Sequence, residues 1–408
     1  MARGREGMDL AVFSGAPFFQ NPQHVGGPIV EPEVRQEFHR LSEAAFAKNW
    51  LTNSGPLSIR LEEEVAARHR AAEAVFVANA TLAQLLLMKA LGLNAGEALV
   101  SANTFIATAH VCEWLGLKPV FCDIDPGTLN LSAADCRRKI TGETRCLIPT
   151  HVFGVFADLP ALTRLAAERR LVLLADAAHA FDCDLGGIPP GGFGIPEFLS
   201  FHATKYFSTL EGGAILTGDR SLARELRELR NFGFDRPEES GKCGLNAKAS
   251  EISAAFGLAS LPVLERRRQR LREARETYER ELAGVPGLRI HPVDRLGRNN
   301  YRYFSLFVEE EAFGLSRDEL SAALRRENVL ARSYFHPGCH RMPHYRKGGD
   351  QTVLPQADLA LGRILSLPTS FADGDPLSFA RDIAILVKRL HDRAGEARQA
   401  LKRLAAEA

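Results

Sequence analysis

From about residue 59 the apolar positions of the chain alternate between two spacings. RLEEEVAARH (60–69) and TLAQLLLMKALG (81–92) carry them at helical intervals, whereas AVFVA (74–78) between them is a continuous apolar run. ALVS, PVFCD, CLIPT and LVLLAD continue the series as short apolar runs, most of them separated by helical patterns. A strand with one wet face alternates apolar and polar residues, so continuous runs predict strands covered on both faces. Strand and helix in alternation predict an α/β fold with a mostly parallel sheet. Ligands of such sheets bind beyond the carboxyl ends of the strands, and the residues just after each run become the candidates for chemistry.

A long helical pattern starts near Ser250 and runs through ETYERELAG, after which the texture changes at PGLRI. YRYFSLFVE reads as a strand, SRDELSAALRREN as a capped helix, VLARSYF as another strand, and a final helix runs from near Asp375 to Ala408. With 408 residues, 45% of them hydrophobic, the chain is long enough for two domains. The expected division is a large domain at 1–265 and a smaller C-terminal α/β domain at 266–408.

Charge narrows the partners. Lys plus Arg number 51 against 50 Asp plus Glu, which gives no footprint for nucleic acid or an anionic membrane. RRRQRLREARE is basic, but its interspersed glutamates mark a solvated helix face. No apolar run approaches the ~20 residues that span a bilayer, and MARGREGMDL lacks the apolar core of a signal peptide. The seven cysteines are scattered without paired spacing, as expected of reduced thiols in a cytoplasmic protein.

The stretch FHATKYFSTLEGGAILTGD (201–219) sets Lys205 between two strand-like runs, with Ser200, His202 and Thr204 before it and a Gly-Gly pair after it. Surface exposure is the usual fate of a lysine, but a partly desolvated one has a lowered pKa and attacks carbonyls. Asp176 ends LVLLAD, the most apolar strand, where a carboxylate either caps the following helix or meets a cationic group. A lysine and a carboxylate at neighbouring strand ends suit pyridoxal phosphate, whose aldehyde takes the amine and whose pyridine nitrogen takes the carboxylate. Asn79, Ala80 and Thr81 lie between a strand and a helix start, where free amides and the helix dipole favour a phosphate. Phe105 opens a helix beyond another strand and offers a flat apolar surface for a ring. His336, Cys339, His340 and His344 look like zinc ligands, but Pro337, Gly338 and Pro343 break the run, and no metal is expected.

ANAT, TFIATAH, DAAHA, SFHATK, EGGAI, RNFGF and GLNAKASEISAAFG occur in this order. Together they resemble the DegT/StrS family of fold-type I pyridoxal-phosphate enzymes, the sugar aminotransferases of deoxysugar biosynthesis. The resemblance runs from LTNSGPL at 51 to LSLPTS at 365. It implies that Lys205 forms the Schiff base with the cofactor and that Asp176 pairs with the pyridinium nitrogen. Phe105 matches the aromatic stacked on the ring, and His179 the residue beside its phenolic oxygen. Ala80, Thr81 and Ser200 match the phosphate contacts, in a cradle reading Asn-Ala-Thr where many relatives have Ser-Gly-Thr.

Asn246 matches an asparagine that reaches the phosphate of the neighbouring subunit, which implies a homodimer with shared sites. L-glutamate is the implied donor, with pyridoxamine phosphate as the intermediate form of the cofactor. Lysine at 205, where some relatives carry histidine and dehydrate sugars, implies transamination. SFHATK, the EGG after it and ENVLARSYFHPGCHRM (327–342) resemble the branch acting at C4 of dTDP-4-keto-6-deoxy-D-glucose. Enzymes acting on a 3-keto sugar are the alternative within the family. A pyridoxal-phosphate lyase or a sensor without turnover are the alternatives outside the aminotransferases. Asn53 in LTNSGPL, with Tyr334, His336 and His340, are the candidates for contact with the sugar nucleotide.

Overall fold

The computed structural model describes residues 9–236, 239–294, 297–346, 352–369 and 375–406. Eight short strands build its main sheet: β1 (Glu73–Val77), β2 (Gly96–Ser101), β3 (Leu117–Cys122), β4 (Thr144–Ile148), β5 (Val172–Leu173), β6 (Ala175–Asp176), β7 (Glu197–Ser200) and β8 (Gly213–Thr217). Pairing runs β1–β8–β7–β6 in one half and β3–β2–β4–β5 in the other. The halves meet because β5 and β6 are one run interrupted at Leu174, and because Thr150 bridges Asp176 in parallel. The Asp176 amide donates to the Pro149 carbonyl at 2.8 Å across that seam. β8 is antiparallel to both of its neighbours, and the remaining pairs are parallel. This is the mostly parallel α/β sheet that the apolar runs predict.

Both faces of the sheet are covered, which is why its strands read as continuous apolar runs. Val75 and Val77 of β1 pack on one side with Leu86, Leu87, Val100 and Ile215. Ala74 and Phe76, at the alternate positions, pack on the other side with Leu61, Val65 and Leu199. Helix α1 (Ala80–Ala90) follows β1 directly, and α2 (Ala107–Trp114) follows β2.

Beyond residue 285 a three-stranded antiparallel sheet forms from β9 (Leu288–Ile290), β10 (Phe304–Val308) and β11 (Ile364–Leu367). Phe304, Leu306 and Val308 bury against Tyr278, Leu320, Leu386 and Leu390, and Leu10 and Val12 from the N-terminal segment join that cluster. The N-terminal segment also pairs Gln23–His24 in parallel with Val329–Leu330.

Three expected elements differ in extent. The pattern from Ser250 is two helices, α3 (Glu251–Ser260) and α4 (Leu264–Leu282), joined by a 3-10 turn over Leu261–Val263. Pro262 sits in that turn and has no amide to continue the ladder. In VLARSYF only Val329–Leu330 is strand, because the following Tyr334 and Phe335 leave the sheet to line the cleft described below. The final pattern is α5 (Pro376–Asp392) and α6 (Ala394–Ala406), broken at Arg393. The Arg393 guanidinium bonds Asp9 at 2.6 Å and lies 4.0 Å over the Phe13 ring, tying the break to the N-terminal segment. No helix among the described residues is long and apolar enough to cross a membrane.

Candidate active site

A cleft of about 410 Å³ opens at the carboxyl ends of the parallel strands. The loop after β1 brings Asn79, Ala80 and Thr81 to it, and the loop after β2 brings Phe105. The ends of β6 and β7 bring Asp176 and Ser200, and the loops after them bring His179 and Lys205. Eight residues singled out in the sequence over a span of some 130 positions therefore share one wall-to-wall space, and Tyr334 closes it from the C-terminal side.

Lys205 is half-buried in a tight turn, its amide donating to the His202 carbonyl at 2.9 Å. Loss of hydration lowers its pKa from 10.5 to about 8, although the nearby Asp176 carboxylate works in the opposite direction. Arg302 adds a repulsive positive charge. That guanidinium is buried beneath the lysine turn, donating to the carbonyls of Thr204 at 2.9 Å and Gly27 at 2.8 Å. The arrangement yields an amine far easier to deprotonate than an ordinary lysine.

Asp176 is buried, and burial raises its pKa. Two hydrogen bonds oppose that rise, the Ala178 amide donating to Oδ1 at 3.0 Å and the Thr108 hydroxyl to Oδ2 at 3.0 Å, as does the positive charge of nearby Lys205. A carboxylate so placed can hold a cationic N–H from a ring lying in the cleft. His179 is also buried, and burial drives its pKa well below the usual imidazole value. The ring is neutral.

The phosphate end is built by β1, α1 and β8 together. Asn79 is in extended conformation, and its Oδ1 accepts the Leu82 amide at 2.9 Å, capping α1. The amides of Ala80 and Thr81, the first two of the helix, have no intrahelical carbonyl to reach. Gly213 explains the Gly-Gly pair: a Cβ there would lie 2.7 Å from the Ala80 nitrogen and 2.9 Å from the Leu199 carbonyl. A side chain would fill the space beside the cradle. The ring of Phe105 stands exposed on the wall, its centroid 6.3 Å from that of Phe335. Amides for a phosphate, a flat aromatic, a buried carboxylate and a soft amine are the donor set that pyridoxal phosphate requires.

The other sequence candidates lie elsewhere. Asn246 is exposed, forms a bridge with Asn231, and is not among the residues lining the cleft. Asn53 is exposed in a left-handed backbone conformation beside Ser54, whose hydroxyl accepts from buried Arg230 at 3.0 Å. His336 and His340 do not line the cleft either; His340 is buried and bonds Asp358 at 2.9 Å. No three His, Cys, Asp or Glu side chains gather for a metal among the described residues.

Conversely, Thr108, Thr150, Tyr303 and Phe335 line the cleft without having been expected there. A signal existed for two of them. Thr108 falls within the TFIATAH motif, in the first turn of the helix that follows β2, and Thr150 ends the CLIPT run at a strand's carboxyl end. Nothing local marks Tyr303 or Phe335, which arrive from the C-terminal sheet and the loop after Val329–Leu330.

Residues 32–372 match the DegT/DnrJ/EryC1/StrS aminotransferase family. The chain belongs to this family. It is 32% identical over 346 residues to the dTDP-4-amino-4,6-dideoxy-D-glucose transaminase of Escherichia coli, covering 84% of this chain and 93% of that protein. The GDP-perosamine synthase of Vibrio cholerae is 28% identical over 84% of this chain and 93% of its own length. Among solved structures, DesI crystallised in the presence of its TDP-sugar product superposes with a TM-score of 0.90 at 39% identity, covering 97% of this chain and 99% of that one. DesV of S. venezuelae superposes with a TM-score of 0.83 at 26% identity, covering 92% and 100%. This DegT-family chain is thus an aminotransferase of the fold-type I class, and its cofactor is pyridoxal phosphate.

Proposed function

We propose that this aminotransferase moves an amino group from L-glutamate to C4 of dTDP-4-keto-6-deoxy-D-glucose. The products are 2-oxoglutarate and dTDP-4-amino-4,6-dideoxy-D-glucose. The observation that carries the chemistry is the placing of Lys205 and the buried Asp176 carboxylate in one cleft at the carboxyl ends of the strands. The C4 sugar is supported by the transaminases of that name in Escherichia coli, at 32% identity, and Shigella dysenteriae, at 34%. The DesI structure, held with a TDP-sugar, supports it further.

In this reading pyridoxal phosphate supplies an exchangeable aldehyde and an electron-withdrawing ring. Lys205 tethers the cofactor, and its amine, once released, carries a proton to and from the α-carbon of the donor. Asp176 holds the ring N–H. Phe105 covers one ring face, and His179 presents a ring nitrogen near the phenolic oxygen. The amides of Ala80 and Thr81, with Ser200, bind the phosphate.

The enzyme works as a homodimer. Among the described residues lining the cleft, Lys205 is the one lysine and there is no arginine. Glutamate carries two carboxylates and the sugar nucleotide a diphosphate, and groups from a partner subunit would add to the donors of this cleft. Asn246, exposed and away from its own chain's cleft, is a residue that a two-fold partner can supply. The division at residue 265 belongs to the same reading, with the C-terminal part carrying Tyr334 to the sugar side.

The test is to incubate the purified enzyme with L-glutamate and dTDP-4-keto-6-deoxy-D-glucose and to analyse the sugar by mass spectrometry and NMR. An amine at C4 is expected. An amine at C3, or no amination, contradicts the substrate assignment.

A further inference from the structure

Behind Asp176 lies a line of three buried threonines that the motif readings do not use. The Thr108 hydroxyl reaches Asp176 Oδ2 at 3.0 Å, Thr104 Oγ1 lies 3.1 Å from Thr108 Oγ1, and the Thr150 hydroxyl reaches Thr104 Oγ1 at 2.8 Å. All three residues are almost fully buried. They come from α2, from the loop before it, and from the end of β4, so the fold assembles them from two strand ends.

The direction of the chain follows from the donor inventory. An ionised carboxylate only accepts, so Thr108 spends its one proton on Asp176. Its oxygen then accepts from Thr104, whose own oxygen accepts from Thr150. Every hydroxyl points its dipole toward the carboxylate, and hydrogen bonds in series polarise one another. At a buried carboxylate this offsets part of the lost hydration, as the Ala178 amide does from the other side. Two features hold the line in place: Gln84 Nε2 donates to the Thr108 carbonyl at 2.9 Å, and Cys339 Sγ lies 3.1 Å from the Thr104 carbonyl. The second attaches the line to the segment that carries Tyr334 and Phe335.

We propose that Thr108, backed by Thr104 and Thr150, is a positioning residue that keeps Asp176 oriented and charged toward the nitrogen of the cofactor ring. The inference rests on the reading of Asp176 as the partner of that nitrogen. Thr108 touches neither substrate nor the reacting atoms in this account; its whole effect passes through Asp176. The prediction is therefore specific to the ring nitrogen, and it separates hydrogen bonding from packing, since valine has the shape of threonine without its donor.

The experiment measures binding of pyridoxamine 5'-phosphate, and of its 1-deaza analogue, to the full-length enzyme freed of cofactor. Pyridoxamine phosphate binds without a covalent link, so affinity reports the ring contact directly. A charge-assisted hydrogen bond of this kind predicts that Thr108→Val weakens the natural ligand about tenfold or more. The analogue, with carbon in place of the ring nitrogen, should stay within about twofold for this variant. Thr108→Ser, which keeps the hydroxyl, should restore the natural affinity, and Thr150→Val should weaken it in the same direction by less. Equal losses for both ligands, no loss in Thr108→Val, or a Thr108→Ser variant as weak as Thr108→Val would overturn the proposal. Asp176→Asn distinguishes the two levels. If it discriminates between the ligands while Thr108→Val does not, the threonine inference alone fails; if neither discriminates, the reading of Asp176 fails with it.

Discussion

His179 Nδ1 accepts the backbone amide of Phe153 at 3.2 Å. This contact fixes the tautomer: with Nδ1 accepting, the single proton of the neutral ring sits on Nε2. Sequence alone marks His179 as a candidate beside the ring but not which nitrogen carries hydrogen. A donor N–H toward a phenolic oxygen is the useful form, and replacing His179 by glutamine preserves a donor. His179→Gln should keep glutamate turnover within about tenfold of wild type, whereas His179→Leu should lose about a hundredfold, in line with the share usually attributed to one positioned hydrogen-bond donor. Because burial holds the imidazole neutral, His179 should add no inflection to the pH–rate profile between about pH 6 and 8. Stopped-flow measurement of the glutamate half-reaction across that range checks both points.

Gly213 and the Asn79–Ala80 peptide approach each other too closely for any side chain. Gly213→Ala would place a carbon 2.7 Å from the Asn79 carbonyl carbon and the Ala80 nitrogen. Backbone cannot swing aside as a flexible side chain can, so the cradle must open. We expect a stability loss of about 1–3 kcal/mol and a weakening of pyridoxamine phosphate binding. Gly218→Ala, at a position with nothing within 4 Å of the new carbon, is the matched control and should bind normally. Thermal unfolding and ligand titration read the two effects.

The softened amine of Lys205 has a pH signature. Attachment of pyridoxal phosphate to the cofactor-free enzyme needs the uncharged amine, whose fraction rises with pH. The rate should therefore climb through a transition near pH 8 and level off above it, well before the 10.5 of an ordinary lysine. Asp176 favours the lysine's charged form, so Asp176→Asn should move the transition to lower pH. A midpoint near 10 in the wild-type enzyme would mean that the amine is not desolvated.

Sites shared across a two-fold axis can be complemented. Neither Lys205→Ala nor Asn246→Ala should retain efficient turnover alone. A mixed dimer of the two variants contains one site with both native residues and one with neither, and should recover about half of wild-type activity. Activity no higher than that of the Asn246→Ala parent would place Asn246 in the site of its own chain or outside it.

What was legible in the sequence followed the sheet. Asp176, Ser200 and Ala80 could be placed because each sits at or within two residues of the end of an apolar run, where a strand's end fixes the direction of the chain. Lys205 and Phe105 lie a few residues further on, within the same loops. The composition of those loops gave Lys205 its chemistry, and the order of motifs gave the family. The second circle of contacts was less legible. Arg302 beneath the lysine turn and Tyr303 beside His179 lie about a hundred residues from their partners, and no periodicity links them. VLARSYF misled because aromatic and β-branched residues favour strands wherever they fall, while here Tyr334 and Phe335 are spent on the cleft. Pro262 was visible in the long helical pattern, yet a proline in the first turn of a new helix is as acceptable as one that breaks an old helix, and only the backbone distinguishes them.

The account turns on Lys205 as the point of attachment. Borohydride reduction of the enzyme with its cofactor bound, followed by peptide mapping, tests this most directly. The account predicts a pyridoxyl phosphate adduct on the peptide carrying Lys205 and on no other lysine. An adduct on another lysine, or none on Lys205, would contradict it.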